Sequence, residues 1–367
     1  MQKKQKMYVV TNPMPEHNNS SAVSLGKFVQ VILHAGFSPT VIGARFRDGT
    51  IPGVPDIVPV VNFRYGGKSV AKILSFILLQ LKHFFYGLAH FRRGDAVYFW
   101  IADKMLGGFL AARLKGAETN YFLYGNVFGD GKGGMSEKLV RYMMNRASCV
   151  CVEAPSVLKQ WGDFTNRKWD SINLFVPEVG IQPVPYENRE KTVAMYCRIS
   201  IGKHIDDAVL AFCKIHERLP EYRLKIIGSG AIENEMRDFI RERGAEDFVT
   251  LTGWLDREEA LMNLRDCRVL LYPTDAEGVP GGILEAMSLG VPALASPVGG
   301  IPDIIDDGVD GVILTGTDAE NIERELTALL ESDKLSALSD AALRKIENKF
   351  SLAAAAENFR RVRESHK

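Results

Sequence analysis

The stretch from Glu277 to Gly290, EGVPGGILEAMSLG, combines residue types that suit a phosphorylated ligand. The run RVLLYP before it predicts a strand, and the apolar run after the glycines predicts a short helix. Gly281 and Gly282 would let backbone N–H groups approach a ligand closely, and the N-terminus of a helix favours negative charge. The loop therefore predicts a phosphate site at the start of the helix. Considered alone, it is equally consistent with an acidic helix start beside a tight turn.

Two carboxylates, Glu277 and Glu285, flank this phosphate loop. Carboxylates do not bind phosphate, but they accept hydrogen bonds from neighbouring hydroxyl groups of a sugar. A ligand with phosphate in the middle and sugar rings at both ends satisfies both features. The pattern therefore favours a nucleotide sugar.

Basic residues and a second glycine turn follow two further predicted strands. In MYCRISIGKHID, Arg198 and Lys203 come just after a strand, where two cations could neutralise a diphosphate. In RLKIIGSGAIENEM, the turn that contains Gly230 precedes a predicted helix and is a candidate for a second phosphate contact. The sequence offers no convincing acidic metal site, and its five cysteines form no CxxC pair and have no histidine at zinc-ligand spacing. Cations of the protein are therefore expected to replace a divalent metal.

Short runs rich in Val, Ile and aromatic residues alternate with helical patterns along the chain, which is typical of parallel α/β sheets. Prolines and polar residues interrupt the alternation between Pro177 and Glu190, and it restarts at TVAMYC. We predict an α/β protein with two Rossmann-like domains that face each other across a cleft, because parallel sheets bind ligands at the carboxyl ends of their strands. The expected domains are 1–180 and 181–350, with a last helix, 351–367, packing back toward the first domain.

The neutral net charge conceals an asymmetry, since residues 1–180 carry 22 Lys+Arg against 12 Asp+Glu. The first half therefore has a formal charge of +10 and the remainder −10, which suits the first half to anionic lipid, phosphate or nucleic acid. No RNP-like motif interleaves basic and aromatic residues, so a nucleic-acid role is not supported.

The segment from Lys68 to Arg93 has five Lys+Arg, two histidines and no acid. It is consistent with a helix on an anionic membrane, but the pattern favours a helix that buries its apolar stripe against the sheet. The uncharged run Ile73–Leu81 is too short to span a bilayer. No signal peptide is evident in MQKKQKMYVVT, so we expect a cytoplasmic location, with the inner face of the plasma membrane as an extension.

Taken together, these motifs resemble the donor-binding domain of glycosyltransferase family 4, whose members are retaining enzymes of the GT-B fold. Glu277 and Glu285 have the E-x7-E spacing of that family, and Arg198 and Lys203 are five apart, as in its GRLxxxKG segment. The run LEAMSLGVPALASPVGGIPDIIDDGVDGVIL also follows the family pattern. The resemblance covers residues 190–330.

The resemblance implies roles for individual residues. Arg198 and Lys203 hold the diphosphate, Glu277 contacts the transferred sugar, and these three form the catalytic group. Glu285 holds the ribose. The other donor-binding candidates are Gly230, Gly253, Trp254, Gly278, Gly281, Gly282, Ile283, Asn18 and Asn19.

The sequence departs from the family at several positions. Cys197 and His204 replace glycines, which is acceptable if the backbone angles there are ordinary. Asn18 and Asn19 lie where the family has a glycine-rich loop, although an ordinary helix cap also explains them. Tyr124 or Asn126 stands where a histidine is expected, so these two are the acceptor-side candidates.

The implied function is a retaining, metal-independent transfer of a hexose-type sugar from a UDP- or GDP-linked donor to a hydroxyl group. The expected acceptor is a glycan, and a lipid-linked or cell-envelope glycan is an extension of this expectation. No cofactor is expected. Two alternatives stay open: a non-catalytic subunit that binds a nucleotide sugar or glycan for another transferase, and a nucleotide-sugar epimerase.

Overall fold

Two contact-dense units make up the chain in a computed structural model. Unit 1 is Met1–Phe175 with Leu352–Lys367, and unit 2 is Val176–Ser351. The structure describes residues 6–12, 20–44, 54–55, 57–64, 68, 70–100, 105–123, 135–159, 168–177 and 180–366. Four predicted site residues lie outside these ranges: Asn18, Asn19, Tyr124 and Asn126.

Unit 1 is built on a parallel sheet with strand order β3-β2-β1-β4-β5-β6-β7 within the described ranges. Its central strands are buried along their whole length, which explains why they are continuous apolar runs rather than alternating ones. The strands are β1 (Met7–Thr11), β2 (Pro39–Ala44), β3 (Val60–Phe63), β4 (Ala96–Trp100), β5 (Glu118–Leu123), β6 (Cys149–Val152) and β7 (Trp169–Ser171).

Helices cover the sheet of unit 1, and the last helix of the chain is one of them. Phe28 stacks on Trp100 with ring centroids 4.6 Å apart, and it meets Phe359 of the last helix at 6.1 Å. The last helix therefore belongs to the core of unit 1. The helices are α1 (Ser20–His34), α2 (Val70–His90), α3 (Leu106–Leu114), α4 (Met135–Arg146), α5 (Pro155–Lys159) and α13 (Leu352–Glu364).

Helix α2 differs from the sequence-based prediction. Its buried residues are Leu79, His83 and Gly87, whereas many of its large apolar side chains are exposed. The prediction that α2 buries its apolar stripe against the sheet is therefore wrong. The run Ile73–Leu81 is also only part of a 21-residue helix that is long and apolar enough, by length and composition, to cross a membrane.

A polar cluster fixes α13 to the sheet. The cluster lies at the amino-terminal edge of the sheet, because Glu118 and Cys149 are the first residues of their strands. Arg363 donates to both oxygens of Glu118 at 2.7 and 2.9 Å. His366 lies 2.6 Å from Glu118 and 2.6 Å from Asp170, which also accepts from the Cys149 thiol at 2.8 Å. We call these five residues the α13 clasp.

The ligand atoms of Cys149, Asp170 and His366 lie within 4.8 Å of one another, a grouping that linear spacing does not reveal. The hydrogen bonds account for it without an ion, since two cations face two carboxylates. Hydrogen bonds to Asp170, Cys149 and Glu118 raise the pKa of His366 to about 11. Burial alone would raise the pKa of Glu118, but hydrogen bonds from His366 and Arg363 lower it to about 2.

We expect Glu118→Gln to lower the free energy of unfolding by about 3 kcal/mol, because it leaves the buried Arg363 guanidinium without its counter-charge. The matched control is Glu357→Gln in α13, which removes an exposed ion pair with Arg360 and should cost less than about 1 kcal/mol. Urea unfolding of both variants measures the difference.

The clasp also has a pH dependence. The folded pKa of Glu118 is below its ordinary 4.5, so its contribution is complete above about pH 4.5 and is lost as the pH falls toward 2. The folded pKa of His366 is above its ordinary 6.5, so its contribution is complete below about pH 6.5 and is lost as the pH rises through 11. The effect of Glu118→Gln on the free energy of unfolding should therefore be largest between about pH 4.5 and pH 6.5, where both contributions are complete. An effect independent of pH would contradict this account of the clasp.

Unit 2 contains a second parallel sheet, with strand order β10-β9-β8-β11-β12-β13. The strands are β8 (Thr192–Tyr196), β9 (Arg223–Ile227), β10 (Val249–Leu251), β11 (Val269–Tyr272), β12 (Ala293–Ala295) and β13 (Val312–Ile313). The chain runs from β8 outward to β10 and then returns to pair β11 with the other side of β8. Such a reversal of strand order opens a crevice at the carboxyl ends of the two strands.

The helices of unit 2 are α6 (Ile205–Arg218), α7 (Glu233–Glu242), α8 (Arg257–Arg265), α9 (Gly281–Ser288), α10 (Ile301–Ile304), α11 (Ala319–Leu330) and α12 (Leu335–Lys345), which continues into a π-helical turn, Ile346–Phe350. Helix α9 is anchored at its far end by Arg189, which donates to the carbonyl oxygens of Leu289 at 2.9 Å and Gly290 at 2.6 Å. Gly290 has φ +73° and lies against this guanidinium, so a side chain there would displace it. Arg189, in the segment before β8, therefore fixes the far end of α9.

Candidate active site

The crevice between β8 and β11 is bridged by an ion pair. Lys203, from the loop after β8, contacts Glu277, from the loop after β11, and also donates to the Thr274 hydroxyl at 3.1 Å. The Tyr272 hydroxyl donates to the same Glu277 oxygen at 2.9 Å. Burial and the charge of Glu277 raise the pKa of Tyr272 well above its usual range, so Tyr272 stays a donor. Two residues assigned by sequence to different parts of the ligand are thus direct partners here.

The loop that carries Lys203 has a strained backbone. His204 has φ +46° and ψ +42°, which lie in the left-handed region. The expectation that histidine replaces glycine here at ordinary backbone angles is therefore wrong. Its ring nitrogens lie 3.0 Å from Asp207 and 2.7 Å from Asp275. Burial lowers the pKa of His204, but its hydrogen bonds to the carboxylates of Asp275 and Asp207 outweigh burial and raise the pKa above the ordinary value. The side chain thus compensates for a conformation that glycine would adopt freely.

We expect His204→Ala to be less stable than His204→Gly by about 1 kcal/mol, because alanine keeps the left-handed cost and loses the hydrogen bonds, whereas glycine loses only the hydrogen bonds. Thermal unfolding of the two variants beside the unmodified protein measures this difference. Equal stabilities would show that the backbone at position 204 is not left-handed in solution.

Arg198 precedes Lys203 in the same loop and is exposed. In the part of the chain that the structure describes, no ion pair or hydrogen bond engages its side chain. Beside it, burial raises the pKa of the Cys197 thiol to about 12, which keeps that group uncharged. Arg198 is therefore a cation available to a ligand.

The glycine turn after β9 supports the Arg198 loop. A Cβ on Gly228 would collide with the carbonyl oxygen of Cys197, and a Cβ on Gly230 would collide with that of Ile199. The Ile199 N–H donates to Ser229 at 3.0 Å. Close backbone packing therefore requires these glycines whether or not a phosphate binds there. A phosphate contact of Gly230 stays a prediction.

Helix α9 begins at Gly281, and its N-cap residue, Pro280, supplies no side-chain hydrogen bond. The N–H groups of the first turn, which includes Gly281, Gly282 and Ile283, have no intrahelical acceptors. The Cβ side of Gly281 is open, whereas Gly282 lies against the backbone of Tyr196, with 3.0 Å from its ideal Cβ to the Tyr196 carbonyl oxygen. The positive end of α9 therefore lies beside the end of β8.

The loop of Glu277 and Gly278 is held by a second glycine pair. Gly300 N–H donates to the Gly278 carbonyl at 2.6 Å. Gly299 has φ +58°, and a Cβ there would collide with the Glu277 carbonyl. Gly299 is not among the residues predicted from the sequence, although the VGGIP segment is a signal for it.

Glu285 faces a cation that the sequence analysis missed. Arg257, at the start of α8, donates to Glu285 through Nε at 2.9 Å and Nη2 at 2.8 Å. Burial and the charge of Glu285 raise the pKa of Tyr196 above its usual range. The pairing of Arg257 with Glu285 spans 28 residues, so sequence spacing gave no signal for it.

The donor-binding candidates Gly253 and Trp254 follow β10. Gly253 has φ +76° and pairs with Gly228 in an isolated bridge. Trp254 is 76% exposed, although such a large apolar side chain is usually covered. Loops after β8, β9, β10 and β11 thus meet at one edge of the sheet. They offer an unpaired arginine, an uncapped helix N-terminus and two carboxylates, which can bind a phosphorylated ligand with hydroxyl groups.

Comparison with solved structures defines the class of fold. The chain is similar to HepE from Anabaena, solved in complex with UDP, with a TM-score of 0.77, 17% sequence identity, and coverage of 98% of this chain and 100% of that chain. The fold is that of the GT-B glycosyltransferases, as the sequence resemblance implied.

The sequence of unit 2 matches a known family. Residues 181–345 match the model of the family described as glycosyl transferases group 1. Two curated relatives are a putative colanic acid biosynthesis glycosyltransferase, WcaL, from Escherichia coli, 27% identical over 177 residues (46% of this chain, 44% of the relative), and the amylovoran biosynthesis glycosyltransferase AmsK from Erwinia amylovora, 27% identical over 190 residues (48% and 46%). The matched region spans less than half of the length of these relatives.

Proposed function

We propose that this chain is a retaining glycosyltransferase that moves a hexose-type sugar from a UDP- or GDP-linked donor to a hydroxyl group without a metal ion. The observation that carries the proposal is the meeting of the unpaired Arg198, the uncapped α9 and the Lys203–Glu277 pair at the β8–β11 crevice. Cations and free N–H groups at a helix N-terminus bind a diphosphate through its negative charge, whereas a neutral ligand gains little from them.

In this proposal the diphosphate lies against the first turn of α9 and is contacted by Arg198. Lys203 shifts its charge from Glu277 to the phosphate as the leaving group becomes more anionic, which stabilises the transition state more than the ground state. The acceptor hydroxyl approaches from the face that the diphosphate leaves, which gives retention of configuration. Its oxygen bonds to the anomeric carbon as the bond from that carbon to the diphosphate oxygen breaks, and the departing phosphate accepts the hydroxyl proton.

Glu277 and Glu285 have separate roles in the proposal. Glu277 accepts hydrogen bonds from the transferred sugar and stabilises positive charge at its anomeric carbon, while Tyr272 holds its carboxylate in place. Glu285 accepts from the ribose hydroxyls and is oriented by Arg257. Trp254 and Gly253 border the base.

The proposed acceptor is a glycan, in line with two relatives that are named for colanic acid and amylovoran biosynthesis. A lipid-linked acceptor at the cytoplasmic face of the membrane is part of the proposal. A thermal-shift panel of nucleotide sugars identifies the donor base and the sugar.

A thermal-shift panel of UDP, GDP and ADP sugars, followed by mass spectrometry of products formed with envelope lipid extracts, tests the proposal. We expect one nucleotide sugar to stabilise the chain, and an acceptor-dependent product that forms equally well in EDTA. Stabilisation without any product would favour the binding subunit. Conversion of the donor sugar without an acceptor would favour the epimerase.

A further inference from the structure

One face of α2 is firmly packed in unit 1. The Gly107 N–H of α3 donates to the Gln80 side chain at 2.9 Å, and the backbones are so close that a Cβ on Gly107 would collide with the Gln80 carbonyl oxygen. Farther along, an ideal Cβ on Gly87 would lie 2.6 Å from the Cβ of Ala111. Small residues thus hold α2 against α3 on this face.

The opposite face of α2 is apolar and uncovered. Seven large side chains on it are between 47% and 69% exposed. They recur every three or four residues and so form one stripe along the helix. This exposed stripe consists of Val70, Ile73, Leu74, Ile77, Leu78, Leu81 and Phe85.

Basic residues lie near the exposed stripe, and acids are absent from the segment. Lys82 borders the stripe, Lys72 is exposed on the first turn of α2, and the sequence from Lys68 to Arg93 contains no Asp or Glu. Helix α3, which packs against α2, also has no acid. The nearest acid along the chain, Asp95, is 7% exposed and points inward, where it accepts from the Lys6 and Arg92 N–H groups.

We propose that the exposed stripe docks on the surface of an anionic lipid bilayer, with α2 lying in the plane of the interface. The apolar side chains would enter the boundary between headgroups and acyl chains, and the lysines would meet the lipid phosphates. Charge complementarity favours a lipid surface over a second copy of this chain, because two copies would bring two acid-free basic helices together.

The packed face of α2 argues against a spanning orientation, although the helix is long enough to span. Insertion would separate α2 from α3 and carry Gln80 and the buried His83 into the bilayer. Docking on the surface keeps the contact of Gln80 with α3 and leaves His83 buried. The inference does not rest on the proposed sugar transfer, because binding to lipid is measured without any donor or acceptor.

Vesicle flotation tests the inference. We expect the chain to float with phosphatidylcholine vesicles that contain about 30% phosphatidylglycerol, to bind pure phosphatidylcholine at least about tenfold less, and to be released by high salt. Leu74→Ser/Leu78→Ser and Lys72→Glu/Lys82→Glu should each weaken binding by about tenfold or more.

Matched controls are taken from unit 2. Met262→Ser removes an exposed apolar side chain, and Lys334→Glu/Arg344→Glu makes the same charge change at exposed positions. Both should float like the unmodified protein. Circular dichroism melting of each α2 variant checks that it is folded.

Three results would overturn the proposal. The first is equal flotation of the stripe variants and the unmodified protein. The second is a concentration-dependent dimer that the stripe variants abolish, with no binding to vesicles. The third is resistance of the vesicle-bound chain to extraction by alkaline carbonate, which would indicate a spanning helix.

Discussion

Lys203→Ala is expected to lower kcat/KM by about two orders of magnitude, equivalent to about 3 kcal/mol of transition-state stabilisation. In the proposed mechanism the leaving diphosphate gains negative charge during the reaction, and without a metal this charge is met by fixed cations and N–H groups. The variant also removes the partner of Glu277, whose side chain is only 17% exposed. Part of the loss should therefore be recovered in Lys203→Arg, which keeps a cation beside that carboxylate.

The neighbouring cation tests the same mechanism. Arg198→Lys should also be costly, because a point charge does not reproduce the planar set of donors of a guanidinium. The matched control is Lys191→Ala, in which an exposed pair with Glu221 is lost and activity should be unchanged. Full activity in Arg198→Ala/Lys203→Ala would contradict the mechanism. Loss of the unmodified enzyme's activity in EDTA, with recovery on adding Mg²⁺, would also contradict it.

Glu277→Gln is expected to lower kcat by about a hundredfold or more while nucleotide affinity changes little. The amide can still accept from Tyr272 and Lys203, so the loop should keep its structure, but the negative charge near the anomeric carbon is lost. Calorimetry with UDP or GDP, together with initial rates, separates the two effects.

Glu285→Ala should show the reverse behaviour and weaken nucleotide binding itself, because its proposed contact is the ribose. Arg257→Ala should follow Glu285→Ala in direction but with a smaller effect, since it frees the carboxylate without removing it. A complete loss of nucleotide affinity in Glu277→Gln, with none in Glu285→Ala, would show that the two roles are assigned the wrong way round.

Local patterns were enough to predict the elements that form the crevice. Parallel strands buried on both faces require continuous apolar runs, so RVLLYP and TVAMYC identify β11 and β8 without knowledge of the rest of the chain. Gly290, the glycine after α9, likewise depends on local backbone geometry, because its φ is +73°. The E-x7-E spacing placed Glu277 in the loop before α9 and Glu285 within the helix, as the structure has them.

Pairings between distant residues were decided only by the tertiary structure. Lys203 and Glu277 are 74 positions apart, and they meet because the return of the chain pairs β11 with β8. The left-handed angle of His204 also depends on a distant partner, Asp275, which belongs to another loop.

The sequence alone also does not determine which face of α2 is covered or which residues form the α13 clasp. An amphipathic pattern shows that a helix has an apolar face, but the packing of the neighbouring elements decides which face is covered, and here glycines of α2 and α3 bring the opposite face inward. His366 reaches Glu118 across 248 positions, which no local period encodes. Sequence alone therefore determined the strands, the glycine loops and the types of residue at their ends. The partners of those residues follow from strand order and packing, because only the folded chain brings them within hydrogen-bonding distance.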